Sequence, residues 1–286
     1  VIGISSLDNS HLSGTLVALG KDSDHVLKIR DFQFVNLYAE YQNPEGLKLR
    51  FGRTQHPLLK YKSEILWDND IYFDGIWAEG KCGLARDTRW HGGAFQIHHD
   101  LRFRGDKVFA LGLLGTPKYG KTQYEWRITH YSYGLRDPMN NGWSRSTAPG
   151  YKTLNIYGAI DTPRQIRFTL DLARNFSADA PGAMHHGGDA LNATLLLGKM
   201  KKNGNFQLIE QYIKVGEHAV PGSLVSYEKR LNMKGFQTDL KYRLTKITNI
   251  QFTFIKWNRL EDSVRVSGKP TDPSYNRWEL MVNHSF

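Results

Sequence analysis

Basic side chains recur on the polar phase of alternating stretches: Lys48 and Arg50, Arg102 and Arg104, Arg127, Arg167, Lys241 and Arg243, and Arg277. Guanidinium and ammonium groups on a shared wall lower the electrostatic cost of bringing an anion alongside. The same phase carries Asp100, Glu125, Asp171, Asp239 and Glu279, and pairing with these across strands would leave little field. A second cluster, Asp68, Asp70 and Asp74, surrounds Trp67. Several carboxylates suit a hard cation, but the spacing is not that of an EF-hand loop, so no metal is expected. The adjacent His185 and His186 point apart on an extended chain and read as a surface loop. Eleven His with many Ser and Asp leave a hydrolase open. However, there is no G-x-S-x-G, H-E-x-x-H or phosphate-binding loop to carry one. The single cysteine, Cys82, excludes an internal disulfide and a cysteine-based cluster, and no cofactor is implied.

Strands must position these residues. Phe236, Thr238, Leu240, Tyr242 and Leu244 alternate with Gln237, Asp239, Lys241 and Arg243. Ile166, Phe168, Leu170 and Leu172 alternate with Arg167, Thr169 and Asp171, and Tyr124, Trp126 and Ile128 with Glu125, Arg127 and Thr129. The C-terminal stretch places Trp278, Leu280, Val282, His284 and Phe286 on one face. Phe95, Ile97, Leu101 and Phe103 read as a further apolar face. A soluble sandwich has the same period. These runs reach about ten residues, the length that crosses a bilayer at a tilt, against about five or six in an average soluble strand.

No apolar run approaches the roughly twenty residues of a transmembrane helix. A membrane barrel escapes that test because only alternate residues meet lipid. Aromatic residues at 12%, with 7 Trp and 14 Tyr, suit interfacial girdles. The net charge of +10 fits contact with anionic lipopolysaccharide at an outer rim, and no nucleic-acid-binding module accompanies it. Nothing marks a linker, so residues 1–286 read as one domain. The opening VIGISSLDNS lacks a signal peptide, which an exported barrel needs, so a processed or trimmed N-terminus is expected.

Short polar breaks at Asn43 to Gly46, Gly105-Asp106, Thr162-Pro163, Lys201 to Gly204 and Thr245 to Thr248 predict hairpins. Longer connections fall at 54–70, 133–151, 175–189, 216–233 and 259–275. Short turns on one side and long loops on the other is a barrel asymmetry. Two places break it: 80–93 is long where a turn is due, and Gly105-Asp106 is short where a loop is due. The alternating runs number about fifteen, and single-chain bacterial barrels have even counts. Sixteen strands with the first upstream of this chain is the expectation, with fourteen as the alternative.

The stretch LKLRFGRTQHPLLKYKSEILWDNDIYFDGIWAEG, from Leu47 to Gly80, resembles a segment of a porin family of bacterial outer-membrane β-barrels whose substrates are mostly unassigned. Ala193 to Leu224, with its Ala-Val-Pro-Gly loop, and Leu231 to Asn258 resemble that family's last hairpins. Leu58 departs from the pattern, where members often carry an aromatic after Pro. The terminal strand resembles the last strand of outer-membrane barrels, with Phe286 as the signal read by the barrel-assembly machinery. The resemblance implies an all-β, transmembrane, antiparallel up-and-down barrel that is integral to the outer membrane and contacts its lipid. It also implies a diffusion pore for small hydrophilic solutes and not an enzyme. The residues around Asp68, Asp70 and Asp74 could then fold inward as a constriction, and the basic residues named above would line the pore and favour anions. Two other readings stay open: an anchoring barrel whose lumen is plugged by or sheathes a partner protein, and an outer-membrane hydrolase. A homo-oligomer is a further possible assembly.

Overall fold

The computed structural model describes residues 2–6, 10–20, 29–54, 65–67, 71–83, 87–99, 102–134, 151–179, 187–216, 218–221, 232–260 and 274–284. Side chains are described from residue 38 on, apart from those at 71–72, 98–99, 102–105, 178–179 and 274–275. The strands are β1 (Ile2–Ser6), β2 (Ser10–Gly20), β3 (Ile29–Gln42), β4 (Lys48–Thr54), β5 (Ile71–Lys81), β6 (Thr88–His99), β7 (Arg102–Gly115) and β8 (Lys118–Tyr119). They continue as β9 (Thr122–Gly134), β10 (Tyr151–Asp161), β11 (Ile166–Asn175), β12 (Asp189–Gly198), β13 (Phe206–Val215), β14 (Met233–Arg243), β15 (Thr248–Arg259) and β16 (Ser274–His284).

All sixteen belong to one antiparallel sheet, in which each strand pairs with the next, except that β7 pairs with β9 and the two-residue β8 pairs only with β9. Most strands run 10 to 14 residues. The sheet has one buried face and one exposed face. On β10, Tyr151, Thr153, Asn155, Tyr157 and Ala159 are buried while Ile156 and Ile160 are exposed. On β11, Asp171, Ala173 and Asn175 are buried while Phe168, Leu170 and Leu172 are exposed. Ile76, Phe109, Leu111, Ile128, Leu240, Leu280 and Val282 extend the exposed apolar face around the molecule. An antiparallel sheet curled into a barrel, with greasy outside and polar inside, produces this inversion of the soluble pattern.

The connections alternate in length. The turns after β3, β10, β12 and β14 lie at one end, and each is closed locally: Gly46 N–H donates to Asn43 O (3.1 Å), with Gly46 at φ 91°, and Thr245 Oγ accepts from Ile247 and Thr248 N–H (3.2 and 3.0 Å). The longer connections, including those after β4, β9, β11, β13 and β15, lie at the opposite end.

Three expectations from the sequence are corrected. The break at 80–93 is only the short turn from Cys82 to Asp87, so that parity holds. Gly105-Asp106 is not a turn: β7, which starts at Arg102, runs through it, and the β6–β7 ladder skips register between Ile97 and His98. A glycine inside a strand is a common site for such a bulge. Phe95 and Ile97 face the interior, 5% and 1% exposed, whereas Gln96 faces out.

An acid stands within the outward apolar band. Glu210 on β13 sits between Leu195 and Thr238 across the strands and accepts a hydrogen bond from Thr238 Oγ1 at 2.8 Å.

Candidate functional site

The interior is the concave surface this fold builds, and it has two tiers. Toward the long connections it is aromatic. Ile65, Leu66 and Trp67, from the connection after β4, turn inward and are at most 1% exposed. Trp67 meets Phe73 edge-on at 5.0 Å between ring centroids and lies 5.6 Å from both Tyr131 and Tyr133. Phe73 in turn packs edge-on against Phe95 at 5.5 Å, and Trp77 stacks on His91 at 5.2 Å. Large inward side chains sit opposite small ones: Trp77 is paired with Gly93, His91 with Gly112 and Gly235 with Trp257. A Cβ on Gly112 would come within 2.1 Å of Ile128 O and 2.7 Å of His91 Nε2, so only glycine admits the ring there. A second inward piece comes from the connection after β13. His218, Ala219 and Val220 are fully buried, with Asn175 Nδ2 donating to His218 O (2.8 Å) and His218 N–H to Gly187 O (3.0 Å).

The other tier is polar. His91 Nε2 lies 3.0 Å from Thr129 Oγ1. Asn155 Nδ2 donates to Asp171 Oδ1 at 2.5 Å, and Thr253 Oγ1 and Gln237 Nε2 donate to Asp239 at 2.6 and 2.9 Å. The Arg127 guanidinium lies over the Tyr157 ring at 4.3 Å and 3.9 Å from Glu125, and Arg167 donates to Tyr157 Oη at 3.2 Å. Near the short turns Glu40 takes both Arg50 (2.6 Å) and Lys48 (3.1 Å) and Arg89 meets Glu79 (2.8 Å), while Arg277 meets Glu279 (3.0 Å) in the half of β16 nearer the long connection. The result is a wall of alternating charge along the strands, partly open to the interior, that can hydrate and orient polar solutes of either sign.

Lys48, Arg50, Arg127, Arg167, Lys241 and Arg277 share this inward face. Lys241 makes no ion pair among the described residues. Arg243 has a different job at the end of β14: it donates to the carbonyls of Thr245, Lys246 and Met200 and so ties two short turns together. Arg102 and Arg104 lie on β7, but their side chains are outside those described. Asp68, Asp70 and Phe286 lie outside the described residues altogether. Asp74 is not part of an inward loop. It belongs to β5, shares the outward phase with Ile76, and accepts two hydrogen bonds from Arg53, both at 2.7 Å. The inward element is instead the apolar Ile65-Leu66-Trp67 just before the acidic run. The signal in the sequence was the excess of Trp and Phe at Trp67, Phe73, Trp77 and Phe95, interleaved with Gly75 and Gly93.

No family model matches the chain, and no curated protein matches it. Among solved structures, OprB of Pseudomonas putida, determined at high pH, superposes with a TM-score of 0.54 at 10% identity, over 79% of this chain and 68% of that one. The chain shares the antiparallel β-barrel fold of that protein. OccK5 (OpdH) and the outer membrane protein OpdK, both of Pseudomonas aeruginosa, align over 97% and 96% of this chain and 87% of each of theirs, at 11% and 10% identity and TM-scores of 0.42. Within this fold the inward Ile65–Trp67 segment and the paired charges along the strands share the interior.

Proposed function

We propose that this chain is an outer-membrane channel through which small hydrophilic solutes diffuse. The observation that carries the reading is the inverted sheet: an exposed apolar belt outside, and hydrogen-bonded acids, amides and guanidinium groups inside. Charged residues on every second position of a membrane strand need water, and a porin-fold interior supplies it. In this reading the aromatic tier is the constriction and the polar tier is the path. The channel has no catalytic role in this reading. The interior histidines are engaged structurally, His91 between Trp77 and Thr129 and His218 through its backbone.

An anion preference remains part of the proposal in reduced form. Glu40, Glu79, Glu125 and Glu279 neutralise much of the basic wall, so the preference rests on Lys241, which makes no ion pair among the described residues, against Asp239 two residues before it on the same face. Lipopolysaccharide contact and delivery by the barrel-assembly machinery through Phe286 belong to the same reading.

Planar-bilayer recording of the purified, refolded chain tests it. Stepwise ohmic conductance is expected. Insertion without conductance favours the anchoring barrel, and failure to insert removes the membrane assignment.

A further inference from the structure

Resting on the membrane reading above, we infer that the outer face of β10 to β15, at the end of the long connections, binds a phosphate-bearing lipid of the surrounding leaflet. Lys214 and Lys234 are direct cross-strand partners on β13 and β14, both exposed on the outward face. Like charges directly opposite repel, with Cβ atoms about 5 Å apart. Neither lysine has an acidic partner among the described residues. Among the described residues, Asp189 is the acid on that rim, and it is held by Arg174 through two hydrogen bonds at 2.9 and 3.1 Å. Lys256 adds a third exposed cation on β15, paired with Phe236. Two unneutralised ammonium groups side by side on a lipid-facing wall call for an anion that the membrane supplies.

The neighbouring surface fits the rest of such a molecule. Leu154, Ile156, Leu172, Phe176 and Leu191 line an outward groove of about 440 Å³, with Lys214 on its rim. Phe176, 52% exposed at the start of the short 3-10 turn Phe176–Asp179, forms one wall. An apolar groove continuous with a lysine pair matches an acyl chain leading to a phosphorylated headgroup. Lys stems lie along apolar surface while their heads reach the polar layer. The occupant is therefore a phosphorylated lipid of the leaflet at the long-connection end, rather than free phosphate or a protein partner.

The test uses the full chain in detergent and in phosphatidylcholine vesicles. Binding of diphosphoryl lipid A is read by native mass spectrometry and by its effect on the unfolding temperature. Wild type should bind it, and Lys214→Gln with Lys234→Gln together should weaken binding by about 30-fold. At tenfold per 1.4 kcal/mol this is about 1 kcal/mol per lysine near an anionic surface. Dephosphorylated lipid A should bind wild type and variant equally weakly, inorganic phosphate should not compete, and Lys201→Gln at the opposite end should bind as wild type does. Equal affinity of wild type and double variant for diphosphoryl lipid A overturns the inference, as does full competition by inorganic phosphate. Failure of the wild type to enter vesicles at all would instead strike the membrane reading. Gel mobility of the unheated protein confirms that each variant is folded.

Discussion

Replacing Trp67 by Ala removes the centre of the aromatic tier. The indole is 1% exposed and touches three rings, at 5.0, 5.6 and 5.6 Å. Truncating a buried Trp costs about 3–5 kcal/mol, within which each aromatic pair adds about 0.5–1.5 kcal/mol beyond simple burial. Little of that cost falls on the barrel wall. The β4–β5 ladder, from Lys48–Glu79 to Thr54–Phe73, does not involve Trp67, so the loss is concentrated in docking of the connection. The variant should remain a folded barrel, with Ile65 and Leu66 as the inward anchors left among the described residues of the connection. Single-channel recording should then show a higher conductance and more frequent current fluctuations than wild type. Trp67→Phe, which keeps an aromatic ring, should fall between the two. If Trp67→Ala folds normally and its conductance and noise match wild type, the connection does not form the constriction. If the barrel fails to fold, Trp67 supports the wall itself.

Leu170 lies midway along β11 on the exposed face, and Leu170→Arg should cost about 2–4 kcal/mol in a bilayer-folding titration if it sits at the midplane, whereas Leu170→Phe should change little. Glu210→Leu should raise stability in the same titration by about 1 kcal/mol, because it removes an acid from the lipid-facing band; a loss of stability would place that face against protein or water. Gly112→Ala should destabilise the barrel by about 1–3 kcal/mol, since the new methyl meets Ile128 O and the His91 ring, and a neutral result would mean that the strand can shift there. Lys241→Gln should abolish a small anion preference in reversal potentials, a preference that itself fades toward 1 M salt, where the Debye length is about 3 Å; cation preference in wild type defeats it. Deleting Phe286 should lower the yield of assembled barrel in cells more than it lowers the stability of refolded protein, and normal insertion would contradict the signal reading.

Alternation on β9, β11 and β14 was legible because those strands cross the apolar belt, where the lipid side must be greasy and the water side need not be. β6 was not legible. Near the long connections its outer face leaves the apolar belt, so Gln96 sits outside near Asp74 and Arg53, while Phe95 and Ile97 turn inward to pack against Phe73 and Trp77. Polarity there reports the inward aromatic tier rather than the lipid, and a period of two has the same form in either phase. The pairing of the basic wall was also hidden in part. Arg127–Glu125 and Arg277–Glu279 are two residues apart and visible locally, but Arg50 and Lys48 meet Glu40 only through the register of β3 and β4. Arg243 kept its alternating position yet turned to carbonyls, because a strand end offers unsatisfied acceptors that a mid-strand position does not.

The central claim is that the exposed face meets lipid and the buried face lines a water-filled passage. With Cys82 replaced by Ser, single cysteines at successive positions 167 to 172 of β11 in reconstituted protein test it directly. Positions 168, 170 and 172 should be labelled and quenched from the lipid phase, positions 167 and 169 should react with a membrane-impermeant thiol reagent, and the buried position 171 should be shielded from lipid-phase quenching. The opposite phase, or protection of all six from both reagents, would contradict the account.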